Sequence, residues 1–387
     1  MGQKKPMSEA KEPILLSPPD LGPDEPKMVM EAIASNWIAP VGPDLDAFEE
    51  AVGAATGAAH VCAVSSGTAA IHLGLHLLGV KPGDCVLCSS LTFVASANPI
   101  RYCGAEPIFV DVDPETWCMS LSALERTLKR LSDEGRTPRA CIAVSLYGQA
   151  ANLPAICTLC TEYGVKVMDE AAEALGATHG DRMAGTFGDL GVYSFNGNKI
   201  VTTSGGGVLV SSNRELIEQA RFMATQARED SAIGAYEHRT RGYNYRMSNL
   251  LAALGRGQIQ HLKEKVEIRR MIFDRYTNAL AGIPEIEWMP EATYGRSTRW
   301  LSCCLVESQT IRDRAIMHFT DERIDARPVW KPMHLQPLFA SCSYERHSLE
   351  EDVSASLFAR GLCLPSGSSL TREQQDRVIE AFKEVFA

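Results

Sequence analysis

The sequence lacks a long hydrophobic run: nowhere does it hold the roughly 20 consecutive apolar residues that a membrane-spanning helix requires, so no membrane span is expected. It also lacks an excess of positive charge. Against 48 Asp and Glu stand 38 Lys and Arg, a formal net charge of -10, which argues against a nucleic-acid binder with its usual basic face. Anionic small molecules are not excluded, because a helix N-terminus and a few local cations bind phosphate on an acidic protein. The opening Met1-Gly2-Gln3-Lys4-Lys5-Pro6 has no apolar secretion core, and Pro6 stands where a myristoylation signal needs Ser or Thr. A cytoplasmic protein is the expectation. No internal repeat or low-complexity linker stands out.

Cysteine is plentiful, at 12, but zinc-knuckle turns are missing. Cys85 and Cys88 lie in a strand-like run whose side chains three apart point to opposite faces, and Cys157 and Cys160 lie in a helix-like segment. Both pairs read as buried, reduced thiols, and no metal site is expected.

At 387 residues the chain exceeds the usual size of one hydrophobic core, so a large and a smaller domain are expected. Residues 1–17 read as a flexible arm, 18–275 as the large domain and 276–387 as a small C-terminal domain. A helix fits Asp24–Ala34, with Met28, Val29, Ala32 and Ile33 on one face, followed by a bulky loop over 36–43. Strands are expected over 61–64, 85–87, 107–112, 141–146 and 166–168, alternating with helices over 68–78, 93–102, 121–131 and 155–163. That alternation predicts an α/β fold with a mostly parallel sheet covered on both faces, with ligands beyond the carboxyl ends of its strands. Helices over 215–224 and 250–280 follow. Beyond about residue 276 the pattern is a shorter α+β one: strand 300–306, helix 311–321 and a closing helix Arg372–Phe386.

The informative motifs fall at those strand ends. Ser65-Ser66-Gly67-Thr68-Ala69-Ala70 joins a strand to a helix, so the amides of Gly67, Thr68 and Ala69 can face an anion. Phe93 presents a ring after the next strand. Asp169-Glu170-Ala171-Ala172-Glu173 clusters carboxylates where a buried strand meets a cleft, and such groups are costly unless paired. A pyridinium nitrogen about 4 Å away would supply roughly 4 kcal/mol at an effective dielectric near 20. Lys199 stands between two β-type runs, just before Gly205-Gly206-Gly207, with no acidic partner close by in sequence. A lysine attacks a carbonyl only when neutral, and reactive lysines occupy irregular turns inside clefts.

Phosphate cradle, aromatic, buried carboxylate and lysine, in that order, match a pyridoxal-phosphate site. The chain resembles the pyridoxal-phosphate-dependent nucleotide-sugar aminotransferases of the DegT/StrS type over nearly all of residues 36–367. The resemblance rests on Ser66-Gly67-Thr68-Ala69-Ala70, Tyr147-Gly148-Gln149, Glu170-Ala171-Ala172-Glu173-Ala174-Leu175-Gly176, Ser194-Phe195-Asn196-Gly197-Asn198-Lys199 and Gly242-Tyr243-Asn244-Tyr245-Arg246-Met247-Ser248-Asn249. It implies an aspartate-aminotransferase-like fold of type I. Lys199 would carry pyridoxal 5'-phosphate as a Schiff base and shuttle the proton to the substrate carbon. Gly67, Thr68, Ala69 and Ser194 would hold the phosphate, Phe93 would stack on the ring, and Glu173 would lie on its other face or near its hydroxyl. Asn244 would reach the phosphate of the partner subunit, making a homodimer with shared sites.

One departure stands out. The family places Glu then Asp before Ala-Ala, whereas this chain has Asp169 then Glu170, so pairing with the ring nitrogen falls to Glu170, with Asp169 as the alternative. The segment Arg327-Pro328-Val329-Trp330-Lys331-Pro332-Met333-His334 and the turn at Asn196–Lys199 look like the branch that aminates C4 of UDP-4-keto-6-deoxy-N-acetylhexosamines, with L-glutamate as donor; Trp330 and His334 would contact substrate. Amination at C3 and a non-catalytic regulatory relative are the alternatives. A 3-dehydratase on the same fold carries histidine where Lys199 stands.

Overall fold

The computed structural model describes residues 11–230 and 233–387. Its largest sheet is built from β1 (His60–Val64), β2 (Cys85–Ser89), β3 (Glu106–Val110), β4 (Ala140–Val144), β5 (Lys166–Glu170), β6 (Leu190–Ser194), β7 (Gly207–Ser211) and β8 (Tyr344–Glu345). The spatial order is β1-β7-β6-β5-β4-β2-β3-β8. Only β7 runs antiparallel to its neighbours, β1 and β6; every other pairing is parallel. Strands β2, β4 and β7 are buried throughout, which is why they read as unbroken apolar runs rather than alternating ones.

The reversal of β7 brings its glycine-rich start to the edge where β1, β5 and β6 end. A Cβ on Gly207 would lie 2.5 Å from the Gly67 nitrogen, and one on Gly67 would lie 3.0 Å from the Ser194 Cβ. Gly207 thus meets the 66–67 segment backbone to backbone, and Gly67 in turn packs against the Ser194 side chain, which leaves neither glycine room for a side chain of its own.

A second, four-stranded antiparallel sheet follows in the order Glu287–Trp288, Ser302–Leu305, Gly361–Leu364 and Arg327–Pro328. Helices Gln309–Asp321 and Arg372–Phe386 cover it around a core that includes Tyr276, Phe319, Leu362, Val378 and Phe382. The closing helix starts on a capping box between Thr371 and Gln374, which satisfies two backbone donors reciprocally.

The structure departs from the sequence expectations in several places. The helix expected over 250–280 is two, Asn249–Gln260 and Leu262–Ala279, parted where His261 leaves helical geometry (φ -96°, ψ 7°). The boundary expected at 275/276 falls inside the second. The helix expected over 93–102 is a 3-10 turn, Val94–Ser96, and a separate short helix, Asn98–Tyr102, which restarts with Pro99 in its first turn, where the missing N–H costs nothing. Of the expected arm, residues 1–10 lie outside the described residues, and 11–17 are docked rather than loose. Ile14, 2% exposed, bridges to Ile324, and the Ser17 hydroxyl donates to the Asn198 carbonyl at 2.8 Å.

Among the elements with no counterpart in the sequence reading, two bear on the large sheet and its flank. Helix Pro43–Thr56 follows a sharp turn at Gly42, where Asn249 accepts from the N–H groups of Asp44 and Leu45 and donates to the Trp37 carbonyl. Strand β8 comes from the C-terminal region yet extends the large sheet beside β3. Buried Asp111 anchors it by accepting from the backbone N–H groups of His347, Val353 and Ser354. Among the described residues no helix is long and apolar enough to cross a membrane.

Candidate active site

A cavity of about 320 Å³ opens beyond the carboxyl ends of β1, β2, β5 and β6 and the start of β7. At one wall, Ser66 in extended conformation caps helix Gly67–Leu77, its Oγ accepting from the Ala69 N–H at 3.0 Å. Gly67 and Thr68 line the cavity at this positive helix end. Ala69 does not line it, and its amide is already taken by Ser66. Ser194, at the end of β6, completes the wall.

Lys199 follows a turn closed by its N–H donating to the Asn196 carbonyl. Its side chain is only 13% exposed, and Nζ lies 3.6 Å from Glu173 Oε1 and 4.1 Å from the Trp300 ring centroid. Glu173 is itself held from other sides: Oε1 accepts from Trp330 Nε1 at 3.1 Å and Oε2 from the Tyr147 N–H at 3.2 Å. The Tyr147 hydroxyl in turn accepts from the Trp330 N–H at 2.7 Å. The lysine's acid is thus supplied from the far end of β5, and its orientation is locked before any ligand arrives.

Asp169 and Glu170 are consecutive on β5 and so face opposite ways. Glu170 lines the cavity, accepting from the Ala172 N–H at 2.8 Å and from Ser96 Oγ at 3.3 Å. Burial, with the neighbouring Glu173 charge adding to it, pushes its carboxyl up to about 7. Asp169 is absent from the lining. Its Oδ2 accepts from the N–H groups of Gly185 and Phe187, its Oδ1 has no hydrogen-bond partner among the described residues, and burial pushes it up to about 8.

Phe93 and Trp330 line the mouth with ring centroids 5.2 Å apart. His334 lies outside the lining, its Nδ1 2.7 Å from Ser90 Oγ and its ring stacked 3.7 Å from that of Tyr344. Asn244 is exposed and also outside, on a segment bridged to Thr225. Sequence reasoning assigned no role to Ser96, Tyr147 or Trp300. Tyr147 carried a faint signal, since Gly148 must follow it: a Cβ there would lie 2.6 Å from the Trp300 nitrogen.

The residues present fit a phosphorylated pyridine aldehyde. A helix N-terminus suits the phosphate, a buried amine suits the aldehyde, and Glu170, whose two hydrogen-bond donors are neutral, can take a protonated ring nitrogen as a directly bonded cationic partner.

Comparison with known proteins agrees with this chemistry. A sequence profile of the DegT/DnrJ/EryC1/StrS aminotransferase family matches residues 19–383. EpsN of Bacillus subtilis, provisionally named a pyridoxal phosphate-dependent aminotransferase, is 49% identical over 373 residues, 96% of each chain. GDP-perosamine synthase of Caulobacter vibrioides is 34% identical, covering 96% of this chain and 98% of its own. Among solved structures, the aminotransferase TlmJ from Streptoalloteichus hindustanus superposes with a TM-score of 0.87 at 29% identity, over 96% of this chain and 98% of that one.

Proposed function

The chain belongs to the DegT/DnrJ/EryC1/StrS family of pyridoxal-phosphate-dependent sugar aminotransferases, and from that premise we propose that it moves the amino group of L-glutamate to C4 of a UDP-4-keto-6-deoxy-N-acetylhexosamine. The observation that carries the catalytic part is the placement of Lys199 Nζ, 3.6 Å from Glu173 and inside the cavity that Glu170 and the helix N-terminus share. The C4 position and the UDP-linked sugar rest on the sequence resemblance of the 196–207 and 327–334 segments.

The cofactor supplies a reactive carbonyl and an electron-accepting ring. The protein's residues supply the rest. Lys199 Nζ is the group placed to take and return the proton at the reacting carbon, held between the Glu173 carboxylate and the Trp300 ring. Glu170 would hold the proton of the ring nitrogen, and Gly67, Thr68 and Ser194 would bind phosphate. Phe93 and Trp330 flank the mouth, where they would cover the ring and shield the site from water. Asn244, outside its own cavity, is assigned to the phosphate of a second subunit, so the working unit is a homodimer.

Borohydride reduction followed by peptide mapping tests the core of this reading. The label should reside on the peptide containing Lys199, and Lys199→Ala should lose turnover while still binding cofactor noncovalently. Label on any other lysine overturns it. Mass and proton-coupling analysis of products from a panel of UDP- and dTDP-ketosugars with glutamate decides the sugar and the position aminated.

A further inference from the structure

Away from the cavity floor, helix Gly67–Leu77 carries His72 and His76 one turn apart on a single face, opposite Cys103, which ends helix Asn98–Tyr102. His72 Nε2 lies 3.2 Å from His76 Nε2, His76 Nε2 lies 4.0 Å from Cys103 Sγ, and the ligand atoms of all three residues lie within 4.8 Å of one another. The Tyr243 hydroxyl approaches the same His76 nitrogen to 2.8 Å. Three groups thus converge on one imidazole nitrogen, which has a single in-plane lone pair and cannot serve them all.

We propose that His72, His76 and Cys103 form a binding site for a zinc-type divalent cation, with the Tyr243 oxygen at the fourth corner. Tetrahedral zinc, with bonds of roughly 2.0–2.1 Å to nitrogen and 2.3 Å to sulfur, sets nitrogen–nitrogen and nitrogen–sulfur separations of about 3.4 and 3.6 Å. The two separations measured at His76, 3.2 and 4.0 Å, bracket those values, and the sulfur needs to close by about 1 Å toward His72, a side-chain adjustment. The donor set, two imidazoles and a thiolate, suits a borderline-soft ion rather than calcium or magnesium.

The surroundings fit as well. Tyr245 lies 3.2 Å from His72 Nδ1, the outer hydrogen bond that fixes which nitrogen a ligating histidine presents. His72 and Cys103 are 6% and 4% exposed. The ion would tie helix Gly67–Leu77, whose N-terminus faces the cavity, to the 243–245 segment that carries Asn244.

The site does not depend on the aminotransferase reading, and its test does not measure turnover. Cofactor-loaded protein is stripped with chelator, equilibrated with zinc alone and passed through gel filtration before metal analysis. About one ion per chain is expected, falling to background in His76→Gln and in Cys103→Ala, with the retained cofactor absorbance as the control for folding. Cobalt in place of zinc should give intense tetrahedral bands at the red end of the visible range, clear of the cofactor, and Cys103→Ser should abolish the thiolate charge-transfer band. Background zinc in the unmodified protein, zinc undiminished by both substitutions, or only the weak spectrum of octahedral cobalt each overturns the proposal.

Discussion

Glu170→Gln should stabilise the cofactor-free protein at alkaline pH while it cripples the enzyme. The carboxyl is 3% exposed, and burial followed by the Glu173 charge raises it from an ordinary 4.5 to about 7. Below pH 4.5 the group is protonated in both the folded and unfolded chain, and no penalty arises. Between 4.5 and 7 the folded chain retains a proton that the unfolded chain has released, so stability falls as pH rises; above 7 the full penalty is present. The two values give a cost of about 1 kcal/mol at pH 5 and about 3 kcal/mol at pH 8. Glutamine removes that cost and keeps both contacts, since its oxygen accepts from the Ala172 N–H and its amide faces Ser96 Oγ. Urea unfolding of cofactor-free wild type and variant at the two pH values measures the difference. It should widen by about 2 kcal/mol from pH 5 to pH 8, and cofactor binding, which places a cation against the wild-type carboxylate, should shrink it. Turnover of the loaded variant should fall by several kcal/mol in barrier. A gap that does not change with pH would show that Glu170 is not a desolvated carboxylate facing an empty place for a cation.

Asp169→Asn provides the contrast: with its carboxyl on the far face of β5, its cost in turnover should stay below about 1.4 kcal/mol, a tenfold loss, and a larger effect than that of Glu170→Gln would mean that Asp169 holds the ring nitrogen. Gly207→Ala inserts a methyl 2.5 Å from the Gly67 nitrogen and should cost about 1–3 kcal/mol of stability together with weakened cofactor affinity, measured by unfolding and by absorbance titration. For Asn244, a hybrid of Asn244→Asp and Lys199→Ala subunits should regain activity, because one site collects both defects and the other neither. No recovery in a verified hybrid would place Asn244 in its own subunit's site or show that an intact site fails beside a damaged one.

Much of this fold was legible because its signals are local. The buried strands β1 to β5 appear as short apolar runs between turn residues, and Asp24–Ala34 and Arg372–Phe386 fall where the helical pattern puts them. What escaped depends on distant chain. Strand β8 is two residues long, and its pairing is created by Asp111 gripping a segment more than 230 residues away. The break at His261 and the docking of Ile14 on Ile324 likewise have no marker in their own neighbourhoods.

The site divides along the same line. Gly67, Thr68, Phe93 and the acidic cluster at Glu170 sit at strand ends, where a doubly covered sheet exposes backbone and side chains to a ligand, so position in the alternating pattern pointed to them, whereas Ser194 and the individual roles came only with the family resemblance. The environment of Lys199 was not open to that logic. In sequence it has no acid nearby, which argued against an ion pair, yet the sheet places Glu173 beside it by way of β5 and β6, neighbours in space. Trp300 comes under the same amine from the segment just before strand Ser302–Leu305 of the second sheet, held by its Nε1 donating to the Asn198 carbonyl at 2.9 Å. The lysine is therefore gripped from the large sheet on one side and from the C-terminal region on the other. That arrangement ties the position of the Lys199 amine to the seating of the small sheet: a substitution that loosens Trp300 should displace Nζ without touching the proposed phosphate cradle at Gly67 and Thr68.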